Sequence, residues 1–283
     1  MTDAPVAVQR RFTRELTSLI AAPFLIYIVG WTSGYVWAAV VSLVAIIALW
    51  EFLLMGERKR YPLQKLLCVA LLGFVLWTFV SDSLSVELAV FAVLLLVPAF
   101  YIFSSHDLET ALPSTAVSVL AVLYVGMLGG SLIRLRLDFG EYGPRLIFFL
   151  LIVVWASDAG AYYIGRAFGR HKLLPRVSPK KTIEGGVGGV LVSCAAAAGI
   201  HFTFFPEFPL VHVIASALLL ALAGIVGDLA ESAWKRSAEV KDSGGLIPGH
   251  GGFLDRIDSI VFTAPVLYTY WFLLYERFGL IPR

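Results

Sequence analysis

Long apolar stretches alternate with short polar segments along almost the whole chain. Each stretch approaches the roughly 20 apolar residues that a membrane-spanning helix requires, so the pattern predicts about nine spans. The predicted spans are Leu16–Gly30, Tyr35–Leu54, Leu66–Val80, Val86–Phe103, Ala116–Ile133, Leu146–Ile164, Gly186–Phe205, Leu210–Gly227 and Ser259–Leu274. The pattern therefore predicts an all-α, polytopic integral membrane protein.

Composition agrees with this fold class. Of 283 residues, 59% are hydrophobic and only 15% are charged, and the net charge of +2 is too small to indicate a nucleic-acid partner. Arg10, Arg11 and Arg14 precede the first apolar stretch as in a signal peptide. No convincing small-residue cleavage site follows them, so this stretch is interpreted as a retained signal anchor.

The distribution of basic residues predicts the orientation of the spans. With a cytoplasmic N-terminus, the inner segments hold 17 of the 22 Lys and Arg residues, as the positive-inside rule favours. Arg134 and Arg136 are exceptions on the outer side. Polar loops 165–185 and 228–258 then face the cytoplasm, from a cytoplasmic (inner) membrane. We expect residues 1–145 to form a membrane scaffold and residues 146–283 the catalytic part.

Polar residues are most concentrated between Gly227 and Ser259, where one short pattern occurs twice. Asp228, Glu231 and Ser232 recur as Asp255, Asp258 and Ser259, at offsets that share one face of a helix. Two facing stripes of carboxylates suit a hard cation, and Mg²⁺ commonly shares its coordination with substrate phosphates. The pattern therefore predicts a metal and nucleotide-phosphate site near the membrane surface.

Basic and glycine-rich positions surround the two acidic stripes. Side chains that could neutralise a polyphosphate are Lys235, Arg236, Lys241 and Arg256. The linker is rich in glycine, including Gly251 and Gly252, whose amides could approach an anion closely. His250 could contact a phosphate or act as an acid, although an ordinary hydrogen bond within the loop is an equal alternative.

A second polar segment, residues 155–189, contains further candidates. Asp158 lies inside an apolar span, where it could serve a site or make a hydrogen bond between helices. Before a helix start rich in glycine come the candidate phosphate contacts Ser178, Lys180, Lys181, Thr182 and Glu184. Taken alone, the glycines Gly185–Gly189 are more simply explained by close packing of two membrane helices.

These motifs together resemble the signature of the phosphatidate cytidylyltransferases, also called CDP-diacylglycerol synthases. The resemblance is seen in the residues of SAWKR (232–236), KD (241–242), PGHGG (248–252) and LDRIDS (254–259), with Ser157-Asp158 and SPKKTIEG upstream. Such a long, chemically mixed signature is unlikely to arise by chance. It covers the C-terminal half of the chain, whereas the N-terminal spans agree only in being apolar.

The resemblance implies an enzyme that joins CTP to phosphatidic acid, giving CDP-diacylglycerol and pyrophosphate. It also implies a requirement for Mg²⁺, with a second cation such as K⁺ considered, and a homodimer whose site opens to the cytoplasm. Asp228 and Asp255 are then metal ligands supported by Asp258 and Glu231. Lys181 and Lys235 join the acids Asp228, Asp255 and Asp258 as predicted catalytic residues.

In the hypothetical mechanism, a phosphate oxygen of phosphatidic acid attacks the α-phosphorus of CTP in line. An ionised phosphate monoester needs no strong general base, so catalysis would come from positioning and charge neutralisation. A CTP-dependent kinase of a polyprenol or another lipid is the nearest alternative, and it would release CDP. A membrane transporter is a further alternative, disfavoured because the polar residues cluster in loops on one face.

Overall fold

The computed structural model describes residues 22–81, 83–244 and 252–276. Within these ranges the chain forms nine helices, joined by one 3₁₀ turn and one short β-hairpin. The helices are α1 (Ala22–Trp31), α2 (Gly34–Arg58), α3 (Lys65–Val80), α4 (Val86–Ile102), α5 (Ala111–Leu137), α6 (Tyr142–Phe168), α7 (Ile183–Phe204), α8 (Leu210–Ser237) and α9 (Leu254–Glu276). The predicted all-α fold class is confirmed.

Six of the described helices are long and apolar enough to cross a membrane: α2, α5, α6, α7, α8 and α9. The shorter apolar helices are α1, α3 and α4. The chain is therefore an integral membrane protein. The local apolar pattern located every helix, but α8 continues beyond its predicted end to Ser237. That extension places the first acidic stripe on a helix.

The chain divides into two compact units. The first unit comprises Met1–Ile133 with Ala238–Arg256, and the second comprises Arg134–Ser237 with Ile257–Arg283. This division does not test the prediction that residues 1–145 form a scaffold and residues 146–283 the catalytic part, which stays a prediction.

In the first unit, α2, α3 and α5 pack through apolar side chains and a partly buried hydrogen bond. Trp37 Nε1 donates to the Leu132 carbonyl oxygen at 2.9 Å, which joins α2 to α5. Gly126 of α5 faces α3 so closely that an added Cβ would lie 2.8 Å from Val75 Cγ1. Small side chains thus let these helices approach closely, as is common in membrane proteins.

In the second unit, α7 packs against both α6 and α8. Between α6 and α7 the chain forms an antiparallel hairpin of β1 (Lys172–Leu174) and β2 (Ser178–Thr182), with Lys172 paired to Thr182. The sequence analysis treated this segment only as a loop, so the hairpin is a new feature.

The two arginines that opposed the charge rule lie in the last turn of α5. Arg134 Nη1 donates to Asp138 Oδ1 at 3.2 Å, and Tyr268 Oη donates to Asp138 Oδ2 at 2.7 Å. A cation near a helix C-terminus also interacts favourably with the helix dipole. The position of Arg134 is therefore explained by local pairing.

Candidate active site

A cavity of about 510 Å³ opens in the second unit. Its wall includes Asp158 of α6, Asp228 of α8 and three residues of β2, namely Lys180, Lys181 and Thr182. Five predicted site residues from three separated segments of the chain thus meet at one cavity. The hairpin makes this possible, because it places two lysines beside the ends of α6 and α8.

Asp158 belongs to a polar face of α6 that lines this cavity. Tyr162 and Arg166 also line it, and they follow Asp158 at intervals of four residues, which keeps all three on one side of the helix. Arg166 Nη1 donates to Tyr162 Oη at 3.3 Å. The sequence analysis missed Tyr162 and Arg166, although their spacing from Asp158 was a usable signal.

Lys181 and Asp228 form an ion pair at the cavity wall. Lys181 Nζ contacts Asp228 Oδ2, and Ser232 Oγ donates to Asp228 Oδ1 at 3.3 Å. The two charged side chains are 27% and 32% exposed, so the pair is partly buried yet reachable from the cavity. An anionic ligand could therefore contact this lysine, and a cation could contact this aspartate.

The start of α7 holds the hairpin in place. Thr182 caps the helix, since its Oγ1 accepts a hydrogen bond from the Gly185 amide at 3.1 Å. The Glu184 carboxylate accepts from the His171 amide at 3.2 Å and lies 2.6 Å from His171 Nδ1. These contacts fix the strand that presents Lys180 and Lys181.

Two glycines of α7 lie directly against α6. An added Cβ at Gly185 would lie 2.8 Å from the Ala161 carbonyl oxygen, and one at Gly189 would lie 2.7 Å from that of Ser157. The helix-packing interpretation is therefore confirmed for Gly185 and Gly189. Gly186 lines the cavity.

A close contact between α8 and α9 brings Asp258 near the cavity acids. An added Cβ at Gly227 would lie 2.7 Å from Phe262 Cβ and 2.9 Å from the Asp258 carbonyl oxygen. The carboxylates of Asp158 and Asp228 both interact electrostatically with that of Asp258. Within residues 22–81, 83–244 and 252–276, no group of three or more Asp, Glu, His and Cys side chains is close enough to hold a metal by itself.

The rest of the first acidic stripe is engaged inside the second unit. Lys235 Nζ lies 3.0 Å from Glu231 Oε1, and the two side chains are 11% and 0% exposed. Arg236 Nε lies 3.5 Å from the Val177 carbonyl oxygen, beside the start of β2 at Ser178. Glu231, Lys235 and Arg236 thus lie on α8, beyond its predicted end at Gly227, and their functional roles stay predictions.

The other predicted site residues that the structure describes belong to the first unit. Lys241 and Arg256 are exposed, and Asp255 Oδ2 accepts hydrogen bonds from the amides of Ser243 and Gly252, both at 2.9 Å. The Gly252 amide is therefore already used within the protein. His250 and Gly251 lie outside the described residues.

Helices that span a membrane, with a cavity lined by lysines and carboxylates, define a membrane protein suited to an anionic ligand and a cation. The chain belongs to the cytidylyltransferase family, whose sequence profile matches residues 12–274. It is accordingly a nucleotidyltransferase, and this membership argues against the lipid-kinase and transporter alternatives.

Several relatives carry the name phosphatidate cytidylyltransferase. The one from Bacillus subtilis (strain 168) is 34% identical over 90% of this chain and 95% of its own length. The one from Staphylococcus haemolyticus (strain JCSC1435) is 35% identical over 90% of this chain and 96% of its own. The one from Haemophilus influenzae is 43% identical over 50% of this chain and 52% of its own.

Proposed function

We propose that this chain transfers the cytidylyl group of CTP to phosphatidic acid. A phosphate oxygen of the lipid forms a bond to the α-phosphorus of CTP, and the bond from that phosphorus to the β-phosphate bridging oxygen breaks. The products are CDP-diacylglycerol and pyrophosphate, which takes the electron pair of the broken bond. The full-length similarity to relatives that carry this name supports the proposal.

The observation that best supports it is the grouping of Lys180, Lys181 and Arg166 with Asp158 and Asp228 around one cavity. A triphosphate needs several cationic partners, and a reaction between two phosphates needs their mutual repulsion reduced. Ser178, Glu184, Arg236, Lys241, His250, Gly251, Gly252 and Arg256 stay proposed substrate contacts.

The carboxylate of Asp228 at the cavity wall and that of Asp258 near it fit a magnesium ion chemically. Asp228 and Asp258 supply the hard oxygen ligands that Mg²⁺ prefers, and it commonly takes only one or two carboxylates together with water and substrate phosphates. Bound Mg²⁺ would supply neutralisation of charge on the triphosphate and on the attacking phosphate. We propose Asp228 and Asp258 as ligands, together with Asp255 and Glu231, and K⁺ as a possible second cation.

Lys181 has a specific place in this proposal. Its ammonium group is held at the cavity wall by Asp228, so it is positioned before the triphosphate arrives. Contact with the triphosphate would weaken its pairing with Asp228 and make more of that carboxylate accessible. Lys181 would then stabilise the departing pyrophosphate, while Lys235 would keep the α8 stripe in place through Glu231.

The topology follows as part of the same proposal. All nine apolar helices would cross or enter the cytoplasmic (inner) membrane, with the N-terminus and the cavity on the cytoplasmic side, where CTP is available. The excess of Lys and Arg in the predicted inner segments supports this orientation. We also propose that the protein acts as a homodimer.

Pyrophosphate release from detergent-purified protein tests the proposed reaction. CTP would be supplied with and without phosphatidic acid, first in Mg²⁺ and then in EDTA. We expect release only when lipid and metal are both present, with CDP-diacylglycerol as the lipid product. Release of CDP with phosphorylation of a lipid, or no reaction from folded protein, would contradict the proposal.

A further inference from the structure

A carboxylate in the first unit has no role in the chemistry described so far. Glu51 lies in α2 within an apolar stretch and is fully buried, at 0% exposure. A buried carboxylate in a membrane helix is costly unless hydrogen bonds compensate it. Its retention inside an otherwise apolar helix therefore needs an explanation from its contacts.

Glu51 joins the two ends of the polar segment between α8 and α9. Its Oε2 accepts a hydrogen bond from Ser243 Oγ at 3.1 Å and another from the Leu254 amide at 2.8 Å. Leu254 is the first residue of α9, where backbone amides lack partners inside the helix. Glu51 thus caps α9 from a helix 203 residues earlier in the sequence.

The backbone at Gly244 and at Gly252 lies directly against the Glu51 carboxylate. An added Cβ at Gly252 would lie 2.7 Å from Glu51 Oε2 and 2.6 Å from the Gly244 nitrogen. One at Gly244 would lie 2.7 Å from the carboxyl carbon of Glu51. Gly244 and Gly252 must therefore be glycine for the backbone to lie this close, and both positions contact the Glu51 carboxylate.

The same two chain ends also hold Asp255. Its Oδ2 accepts from the amides of Ser243 and Gly252, so Ser243 donates its hydroxyl to Glu51 and its amide to Asp255. A shift of Ser243 would therefore move a hydrogen-bond donor of Glu51 and a hydrogen-bond donor of Asp255 at the same time. The placement of Asp255 thereby depends on the contacts of Glu51.

We propose that Glu51 is a positioning residue, which holds Ser243 and Leu254 together in the polar segment between α8 and α9 and thereby places Asp255. The consequence for turnover rests on the proposed function, in which Asp255 is a metal ligand. The structural part of the inference is independent of it. Hydrogen-bond acceptance, more than negative charge, is the property of Glu51 that the contacts use.

Two substitutions at Glu51 and one control elsewhere on α2 separate positioning from packing. Glu51→Leu keeps a similar volume but removes both hydrogen bonds, so the apolar packing of α2 should be kept while the Ser243 hydroxyl and the Leu254 amide lose their acceptor. Glu51→Gln keeps an oxygen that can accept from Ser243 and Leu254. Glu57→Gln is the matched control, because Glu57 lies on the same helix and its Oε2 pairs with Lys65 Nζ at 2.6 Å, away from Ser243 and Leu254.

Limited trypsin digestion of the purified full-length protein measures how accessible the backbone is next to Ser243. Lys241 is exposed and precedes Ser243 by two residues, whereas Arg176 is exposed in the hairpin of the second unit. We expect Glu51→Leu to raise the cleavage rate after Lys241 about tenfold or more without changing the rate after Arg176. Glu51→Gln and Glu57→Gln should stay within about threefold of wild type at both sites.

The rate of turnover is the second measurement. We expect kcat for pyrophosphate release to fall about 10²-fold in Glu51→Leu, because a small misplacement of a reacting group has effects of that size. Glu51→Gln should restore most of it, because glutamine returns an acceptor oxygen to Ser243 and Leu254. Ser243→Ala, which removes one of the two bonds, should show an intermediate effect.

Unchanged cleavage after Lys241 in Glu51→Leu would overturn the inference. So would a glutamine variant that behaves like leucine, since hydrogen-bond acceptance would then not be the property used. Wild-type protein that releases no pyrophosphate would refute the proposed function alone, because the digestion pattern tests the positioning of the segment without any turnover.

Discussion

Asp228 and Asp255 occupy the same place in a repeated pattern, yet they have opposite kinds of partner. In the second unit, Asp228 faces a cavity and pairs with the ammonium group of Lys181 and the hydroxyl of Ser232. In the first unit, Asp255 accepts hydrogen bonds from two backbone amides. One acid contacts a charged side chain, and the other organises the backbone.

The difference teaches that equal sequence spacing specifies a helical face and not a chemical environment. A carboxylate paired with a lysine depends on its charge, whereas one that accepts from amides needs only its oxygen atoms. At Asp255, substitution by asparagine separates the hydrogen bonds from the charge, because the amide side chain keeps one acceptor oxygen and loses the charge. The comparison can therefore be tested with isosteric variants.

The largest effect is expected from Asp228→Asn and Asp255→Asn. Each should reduce pyrophosphate release below about one thousandth of wild type, because each removes a proposed metal ligand. Both proteins should fold and insert, which size-exclusion chromatography and thermal unfolding would check. In Asp255→Asn the rate of trypsin cleavage after Lys241 should stay unchanged. Normal turnover in Asp255→Asn would remove it from the ligand set.

Lys181→Ala should have the next largest effect. Loss of one cationic contact to a triphosphate commonly reduces turnover by about 10²–10³-fold, and kcat/KM for CTP is the quantity to measure. Lys172→Ala is a matched control, since Lys172 lies on the partner strand and is exposed. Equal effects of the two substitutions would mean that the cavity lysine has no special role.

Gly189→Ala tests the packing behind the cavity. Its added methyl would meet the Ser157 carbonyl oxygen of α6, so we expect a loss of about 1–3 kcal/mol in stability. Gly199→Ala is the control on the same helix, because an added Cβ there meets nothing within 4 Å. Thermal unfolding in detergent should therefore separate the two variants. An equal midpoint for both would contradict close packing of α6 and α7.

The smallest effect is expected at the surface of the first unit. Lys59 Nζ lies 2.6 Å from Glu239 Oε1, and this contact holds the pKa of Glu239 below its ordinary value. A lowered pKa contributes stability above the unfolded-state value and loses it as pH falls through the folded-state value. The slight stability difference between wild type and Glu239→Gln should therefore shrink below about pH 4. A difference that grows with acid would contradict this pairing.

Much of the fold was predictable because helix formation in a membrane depends on local apolar length. The acids, lysines and threonine at the cavity were predictable because they lie in compact motifs. Glu51 was missed although the rule that singled out Asp158, an ionisable residue inside an apolar span, applies to it equally. The signal was present in the apolar stretch around it and was not used.

Other features depend on contacts between distant parts of the chain. The hairpin consists of two very short strands separated by a turn that begins at Pro175, and neither strand shows a clear alternation in its sequence. Arg134 has a visible partner four residues later, but the bond from Tyr268 to Asp138 joins residues 130 apart. The different partners of Asp228 and Asp255 arise in the same way, from tertiary contacts that identical spacing does not encode.

Tracing the phosphorus atoms of CTP tests the central claim most directly. Purified protein would be given phosphatidic acid, Mg²⁺ and CTP labelled at either the α- or the γ-phosphorus. The account predicts that the α label enters the lipid product and the γ label leaves as pyrophosphate. Entry of the γ label into lipid, or retention of both labels in a soluble nucleotide, would contradict cytidylyl transfer.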